Sequence, residues 1–336
     1  MSKISLKLNS WTVAAGISMI ATTLGLSMSA VQSQSVKTIT IDGSSTVFPI
    51  TEAVAEEFQK SQGGRVRVTV GVSGTGGGFK KFCRGETDIS GASRPILQKE
   101  IEACKAAGIR YMELPVAYDA ITVVVNPQNT WAKNLSVAEL KKIWEPGAQG
   151  KVNNWSLVRK GFPNAPLKLF GPGANSGTFD YFTEAIVGKA KSSRGDFTAS
   201  EDDNVLVQGV SRDKNAIGYF GYAYYAENQK RLKAVPVNGV LPSPTTVKNG
   251  SYSPLSRPLF IYVSSKSVDK PEVKQFVQFY LRNGAKFAQE TRYVALPASA
   301  YTTAQSHFGK KRFGTVFGGK EAVGLKIDEL LRREAQ

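Results

Sequence analysis

Histidine occurs once in 336 residues, as His307, and cysteine twice, as Cys83 and Cys104. With a single imidazole, serine–histidine catalysis would have to run through His307, and no Gly-x-Ser-x-Gly elbow is placed to meet it. Two cysteines without a histidine partner do not make a zinc site, so no metal and no other cofactor is expected. No dense lysine or arginine run is present, which argues against a nucleic-acid-reading stripe. No stretch is biased enough to read as disordered, and no internal repeat is present. The composition that remains is that of an ordinary globular chain long enough for two domains. Lysine and arginine (43) outnumber aspartate and glutamate (27), for a net charge of +16. A spread basic excess suits a small anionic partner or serves solubility alone.

Residues 1–33 read as a secretory signal peptide. Lys3 and Lys7 form a basic start, an apolar run extends from Trp11 to Met28, and small residues follow at Ser29, Ala30 and Ser33. A membrane anchor is the alternative reading, weakened by Gly16 and Thr22-Thr23 inside the run. No cysteine stands near the cleavage region, so a lipoprotein anchor is not expected. In an oxidising compartment Cys83 and Cys104 are expected to pair, two buried thiols being the alternative.

Beyond that segment, strand-like and helix-like stretches alternate, the signature of an α/β fold with mainly parallel sheet. Strands are expected at Thr38–Ile41, Arg65–Val70, Asp88–Ser90, Ala120–Val125, Leu167–Phe170, Ile217–Ala223 and Leu259–Val263. Helices are expected at Pro49–Gln59, Phe79–Arg84, Lys99–Ala107, Ser136–Trp144 with a Ser136/Glu139 capping box, Thr178–Ile186 and Pro271–Asn283. Two segments, the run into Ala120–Val125 and Tyr252–Val263, are placed to cross between lobes. Residues 34–119 and 258–336 then form lobe I and residues 120–257 lobe II, with a cleft between them.

Three loops share one design: a strand, then glycines and hydroxyl residues, then a helix. They are Gly43-Ser44-Ser45-Thr46-Val47, Ser73-Gly74-Thr75-Gly76-Gly77-Gly78 and Asn175-Ser176-Gly177-Thr178. Hydroxyls donate hydrogen bonds, glycine admits close backbone approach, and a helix N-terminus offers unpaired N–H groups. One such loop is ordinarily a helix cap; three, drawn from both lobes, describe a pocket for a small tetrahedral oxyanion. The second loop lacks the Gly-Lys-Ser/Thr ending of a nucleotide-binding loop. Asp88 and Arg94 flank Gly91-Ala92-Ser93. A carboxylate at Asp88 could accept the proton that phosphate retains near neutral pH and reject sulfate, which has none. Arg94 could orient that carboxylate or pair the ligand directly, and a surface ion pair is the plainer alternative. The tyrosines from Tyr219 to Tyr225 read as packing, Glu201-Asp202-Asp203-Asn204 as an acidic turn or helix start, and His307 as structural.

Five stretches together resemble the PstS family, the phosphate-binding component of a high-affinity ABC importer, in its SphX-like branch: Asp42–Pro49, Val72–Lys81, Thr87–Pro95, Asn175–Phe182 and Ser256–Val263. The resemblance implies a class II periplasmic-binding-protein fold, two α/β lobes joined by a two-segment hinge. It further implies a monomer in the periplasm that takes inorganic phosphate, partners membrane permease subunits, binds no nucleic acid and is not an enzyme. Carried across motif by motif, the ligands would be Ser45, Thr46 and Val47, Thr75 with Ser73 as near alternative, Asp88 as proton acceptor, and Ser176, Gly177 and Thr178. The chain departs from the family where many members carry an arginine a few residues before Ser176; here the stretch is Gly171-Pro172-Gly173-Ala174, and Arg94 is the candidate replacement. The rival readings are a receptor for another tetrahedral oxyanion such as sulfate, and a phosphatase-like hydrolase.

Overall fold

The computed structural model describes residues 36–335 apart from residue 321; the signal-peptide reading lies outside the described residues. The chain begins as strand and helix in alternation: β1 (Lys37–Gly43), α1 (Phe48–Ser61), β2 (Val66–Val72), α2 (Gly74–Cys83), β3 (Ile89–Ala92), α3 (Gln98–Ala106) and β4 (Tyr111–Val125). The middle adds α4 (Val137–Trp144), α5 (Trp155–Val158), β5 (Lys168–Pro172), α6 (Gly177–Val187), β6 (Thr198–Ser200), α7 (Asp203–Arg212), β7 (Ala216–Gly221), α8 (Tyr222–Glu227), β8 (Lys233–Ala234) and α9 (Pro244–Lys248). It closes with β9 (Ser256–Ser264), α10 (Pro271–Glu290), α11 (Ala298–Gly309) and α12 (Ile327–Glu334).

The strands run in the order β2-β1-β3-β9-β4-β7-β5-β6, with β8 beside β4. β2, β1 and β3 are mutually parallel, as are β7, β5 and β6. The antiparallel pair β9 and β4 joins these two parallel sets. β4 is buried along its whole length because it serves both: Tyr111–Ala120 pairs with β9, and Ile121–Val125 pairs with β7. In parallel sets every strand's C-terminal end feeds a loop and a helix on one edge, so catching residues collect there.

Several expectations from sequence change at their boundaries. β4 starts at Tyr111 rather than Ala120, because Pro115 sits at a register shift that hides the periodicity of its first half. α2 starts at Gly74 rather than Phe79: the glycine run is helix, not turn. A Cβ on Gly78 would stand 2.6 Å from Gly43 Cα, so that glycine lets α2 lie against the end of β1. β7 stops at Gly221, and Tyr222-Ala223 begin α8. Elsewhere the local signals carry through. Ser136 and Glu139 cap α4 reciprocally. Pro271 opens α10, whose Val273, Phe276, Val277, Tyr280 and Leu281 form one buried stripe. Cys83 at the end of α2 is disulfide-bonded to Cys104 in α3. Tyr219 stacks on Phe182 and meets Trp144 edge-on, the packing role expected of it.

Candidate functional site

The loops after β1, before α2 and after β5 converge on one edge of the sheet. Ser44 leaves β1 with its N–H on the Gly91 carbonyl at 3.0 Å, and its hydroxyl accepts the Thr46 N–H at 3.2 Å. That turn places the Thr46 hydroxyl 3.1 Å from the Thr178 hydroxyl of α6. Thr178 is held in turn by Ser176, the N-cap of α6, whose hydroxyl accepts the Thr178 N–H at 3.1 Å. From the second loop, the Thr75 hydroxyl lies 3.2 Å from the Ser93 hydroxyl and also accepts the Ser93 N–H. Gly177 faces both: a Cβ there would collide with Thr75 Oγ1 and stand 2.6 Å from Ser93 Oγ. The Gly76 N–H donates to the Asn175 carbonyl at 2.9 Å. Thr46, Thr75, Ser93, Ser176, Gly177 and Thr178 thus form one buried cluster with walls from both parallel sets.

Its cation is Arg257, on β9, fully buried. Arg257 Nη2 donates to Thr178 Oγ1 at 2.9 Å, Thr46 Oγ1 at 3.2 Å and Asp119 Oδ2 at 3.0 Å, while Nη1 donates to the Gly177 carbonyl at 3.3 Å. Asp119 is itself buried. Burial pushes its carboxyl pKa upward, and the Arg257 charge opposes that. Sequence reasoning missed this pair. The available signal was an arginine inside the apolar run Ser256–Val263, since a charge in a buried strand must be paired or functional.

Arg94 is equally buried but differently held. It is clamped by Glu100 at 2.7 and 2.8 Å, and its Nε donates to Asp180 on α6 at 2.8 Å. Asp180 also receives Lys191 at 3.1 Å. Arg94 lies beside the cluster, following Ser93, with its charge shared by Glu100 and Asp180 among the described residues.

The structure corrects the reading of Asp88, which is not brought to the cluster. Its Oδ1 accepts Ser267 Oγ at 2.6 Å and Lys270 Nζ at 2.7 Å, and its Oδ2 accepts the Thr40 N–H at 2.8 Å. The physical reason is strand polarity: Asp88 precedes β3, whereas the cluster gathers where β1, β3 and β5 end. Arg94 therefore does not orient it. Ser73 also turns away, donating to Asp42, which pairs with Lys81 at 2.7 Å. The Val47 N–H is taken by the Ser44 carbonyl, and Ser45 is buried beside the cluster with its carbonyl on the Tyr224 hydroxyl. Asp202 caps α7, in line with the helix-start reading of that acidic stretch. Among the described residues, no group of three His, Cys, Asp or Glu side chains is placed to hold a metal ion.

Chemically, the cluster offers hydroxyl donors, the N-termini of α2 and α6, and one guanidinium. Such a set can hold a small anion by charge-assisted bonds.

Comparison with known proteins agrees with this chemistry. Residues 29–283 match the PBP superfamily domain. Protein SphX of Synechococcus elongatus is 57% identical over 301 residues, covering 88% of each chain. The phosphate-binding protein PstS of Staphylococcus saprophyticus is 41% identical over 273 residues, covering 79% of this chain and 82% of its own. A Clostridium perfringens protein, assigned as a phosphate ABC transporter substrate-binding protein and crystallised with phosphate, superposes with a TM-score of 0.67 at 28% identity. That match covers 78% of this chain and all of the other.

Proposed function

The chain belongs to the PBP superfamily, among the SphX and PstS proteins, and from that premise we propose that it captures inorganic phosphate and hands it to an ABC-type permease. The observation that carries this reading is the meeting of Thr46 and Thr178, from opposite parallel sets, on one buried guanidinium, Arg257. A tetrahedral anion suits that meeting because it presents acceptors in several directions to donors fixed in several directions.

In this reading residues 34–119 and 258–336 are one lobe and 120–257 the other, with β4 and β9 as the hinge. When the lobes are together the hydroxyls bond one another and Arg257. When they part, phosphate takes those donors, and closure replaces its water with fixed dipoles. The ligand set is Thr46, Thr75, Ser93, Ser176, the Gly177 and Thr178 backbone, Thr178 Oγ1 and Arg257. The work is binding and release without covalent chemistry, carried out by a monomer outside the cytoplasmic membrane.

Calorimetry of the purified protein with phosphate, arsenate and sulfate tests the proposal. One saturable site for phosphate and arsenate, with sulfate much weaker, is the expected result. Preference for sulfate, or no heat with any of the three, would overturn it. Small-angle scattering should show compaction on adding phosphate.

A further inference from the structure

The chain after α11 crosses the molecule before it ends. It is first fastened beside β4. Gly314 bridges Met112, the Thr315 hydroxyl donates to Glu113 Oε2 at 2.7 Å, and the Val316 N–H donates to Glu113 Oε1 at 3.2 Å. Phe317 meets Phe260 edge-on, and the Gln98 N–H at the start of α3 donates to the Gly319 carbonyl at 2.9 Å. The segment then reaches α6: the Gly324 N–H donates to the Tyr181 hydroxyl at 2.7 Å. The next carbonyl, that of Leu325, accepts the Tyr118 hydroxyl of β4 at 2.7 Å. Leu325, Ile327 and Leu330 are buried, and α12 returns to α11 with Glu334 Oε2 3.3 Å from His307 Nδ1. All of this lies past residue 283, where the match to the PBP superfamily domain ends.

Tyr181 ties the crossing to the site. It is fully buried on α6, one turn after Thr178. A phenol hydroxyl can donate once and accept at the same time. Here it donates to the Ser256 carbonyl at 2.7 Å while accepting from Gly324. The Arg257 guanidinium lies 5.8 Å from the centroid of its ring, within cation–π range. One side chain therefore joins the C-terminal segment, the strand that bears Arg257 and the helix that bears Thr178. The segment is anchored at Glu113 and Gln98. Movement of α6 away from them must break the Gly324–Tyr181 bond or pull the segment off those anchors.

Resting on the two-lobed, phosphate-binding reading, we propose that residues 314–320 and 322–334 form a clasp across the lobes. The clasp favours the closed state, and Tyr181 is the positioning residue through which it holds Arg257 and α6 for the anion. Clasp docking and phosphate capture are then linked equilibria. Phosphate tightens the clasp, and an undone clasp loosens phosphate by the same factor.

The first test is hydrogen exchange of the wild-type protein, read by mass spectrometry, with and without saturating phosphate. One hydrogen bond's worth of coupling predicts that peptides covering 322–334 exchange about three- to tenfold more slowly with phosphate. Unchanged exchange there overturns the proposal without any variant. Calorimetry and small-angle scattering then compare Tyr181→Phe, which keeps the ring beside Arg257, with Thr315→Val at the other anchor. Each should weaken phosphate about three- to tenfold. Each should also enlarge the ligand-free radius and leave the phosphate-saturated radius at the wild-type value. A merely structural role would lower the unfolding midpoint and leave affinity and both radii unmoved, and that result overturns the clasp. Phosphate binding by the wild type without compaction overturns it too. Failure of the wild type to bind phosphate at all would instead sink the phosphate-binding reading.

Discussion

Arg94 and Arg257 are both fully buried and both lie within reach of the hydroxyl cluster, yet they are held in different ways. Among the described residues, Arg94 faces two carboxylates, Glu100 and Asp180, in ion pairs of 2.7–2.8 Å. Among the described residues, Arg257 is hydrogen-bonded to one, Asp119, and directs the same Nη2 at two hydroxyls from the two parallel sets. An arginine between two acids is a strut: its removal leaves buried negative charge. An arginine between one acid and two hydroxyls keeps donor capacity aimed at the cleft. The count of buried cations near a site therefore says less than the count of carboxylates around each.

The largest effects should separate these two roles. Arg257→Met should weaken phosphate binding about a hundredfold or more, since a charge-assisted donor inside the site is lost. Arg94→Met should cost about 3–5 kcal/mol of stability by stranding Glu100 and Asp180, with a smaller change in affinity. Calorimetry and denaturant unfolding on both variants check this; equal affinity losses would erase the distinction.

Next in size is the staple beside Arg94. Cys83 and Cys104 are 21 residues apart in sequence, so replacing both by serine should cost about 3 kcal/mol on the chain-entropy account. Phosphate affinity at temperatures where the variant stays folded should hardly move. A large affinity loss would mean that the α2–α3 side shapes the cleft more directly than Arg94's ion pairs suggest.

Smaller still are the hydroxyls that Arg257 touches or that position them. Thr46→Ala or Ser176→Ala should each weaken phosphate, arsenate and sulfate together by about tenfold, because hydroxyl donors do not sense the ligand's proton. A competition series gives the ratios, and a selective loss of phosphate alone would contradict this.

Asp88→Asn should have the smallest effect on recognition. With its carboxylate engaged by Thr40, Ser267 and Lys270, the phosphate-to-sulfate ratio should stay within about twofold, and stability should drop by about 1 kcal/mol. A ratio that collapses would return the proton-reading role to Asp88.

Much of this was legible in the sequence because the signals were local. Ser44-Ser45-Thr46 and Ser176-Gly177-Thr178 sit at strand-to-helix turns, where the turn chemistry and the binding chemistry are the same residues. What was not legible depended on tertiary direction. Asp88 and Thr46 both neighbour short strands in the sequence, but one lies before its strand and the other after, and in a parallel sheet those ends lie on opposite edges. Arg257 and Asp119 come from strands 138 residues apart in the chain, and only the antiparallel β4–β9 pairing brings them together. The glycines of α2 looked like a phosphate-cradling turn, but Gly78 is glycine so that a helix can touch β1.

The most direct measurement is a crystal structure of the protein grown in phosphate. The predicted result is an anion within about 3 Å of Thr46 Oγ1, Thr178 Oγ1 and the Arg257 guanidinium, with the Thr46–Thr178 contact replaced by bonds to phosphate. An anion seated beside Asp88, or one that leaves Arg257 still bonded to both threonines, would contradict it.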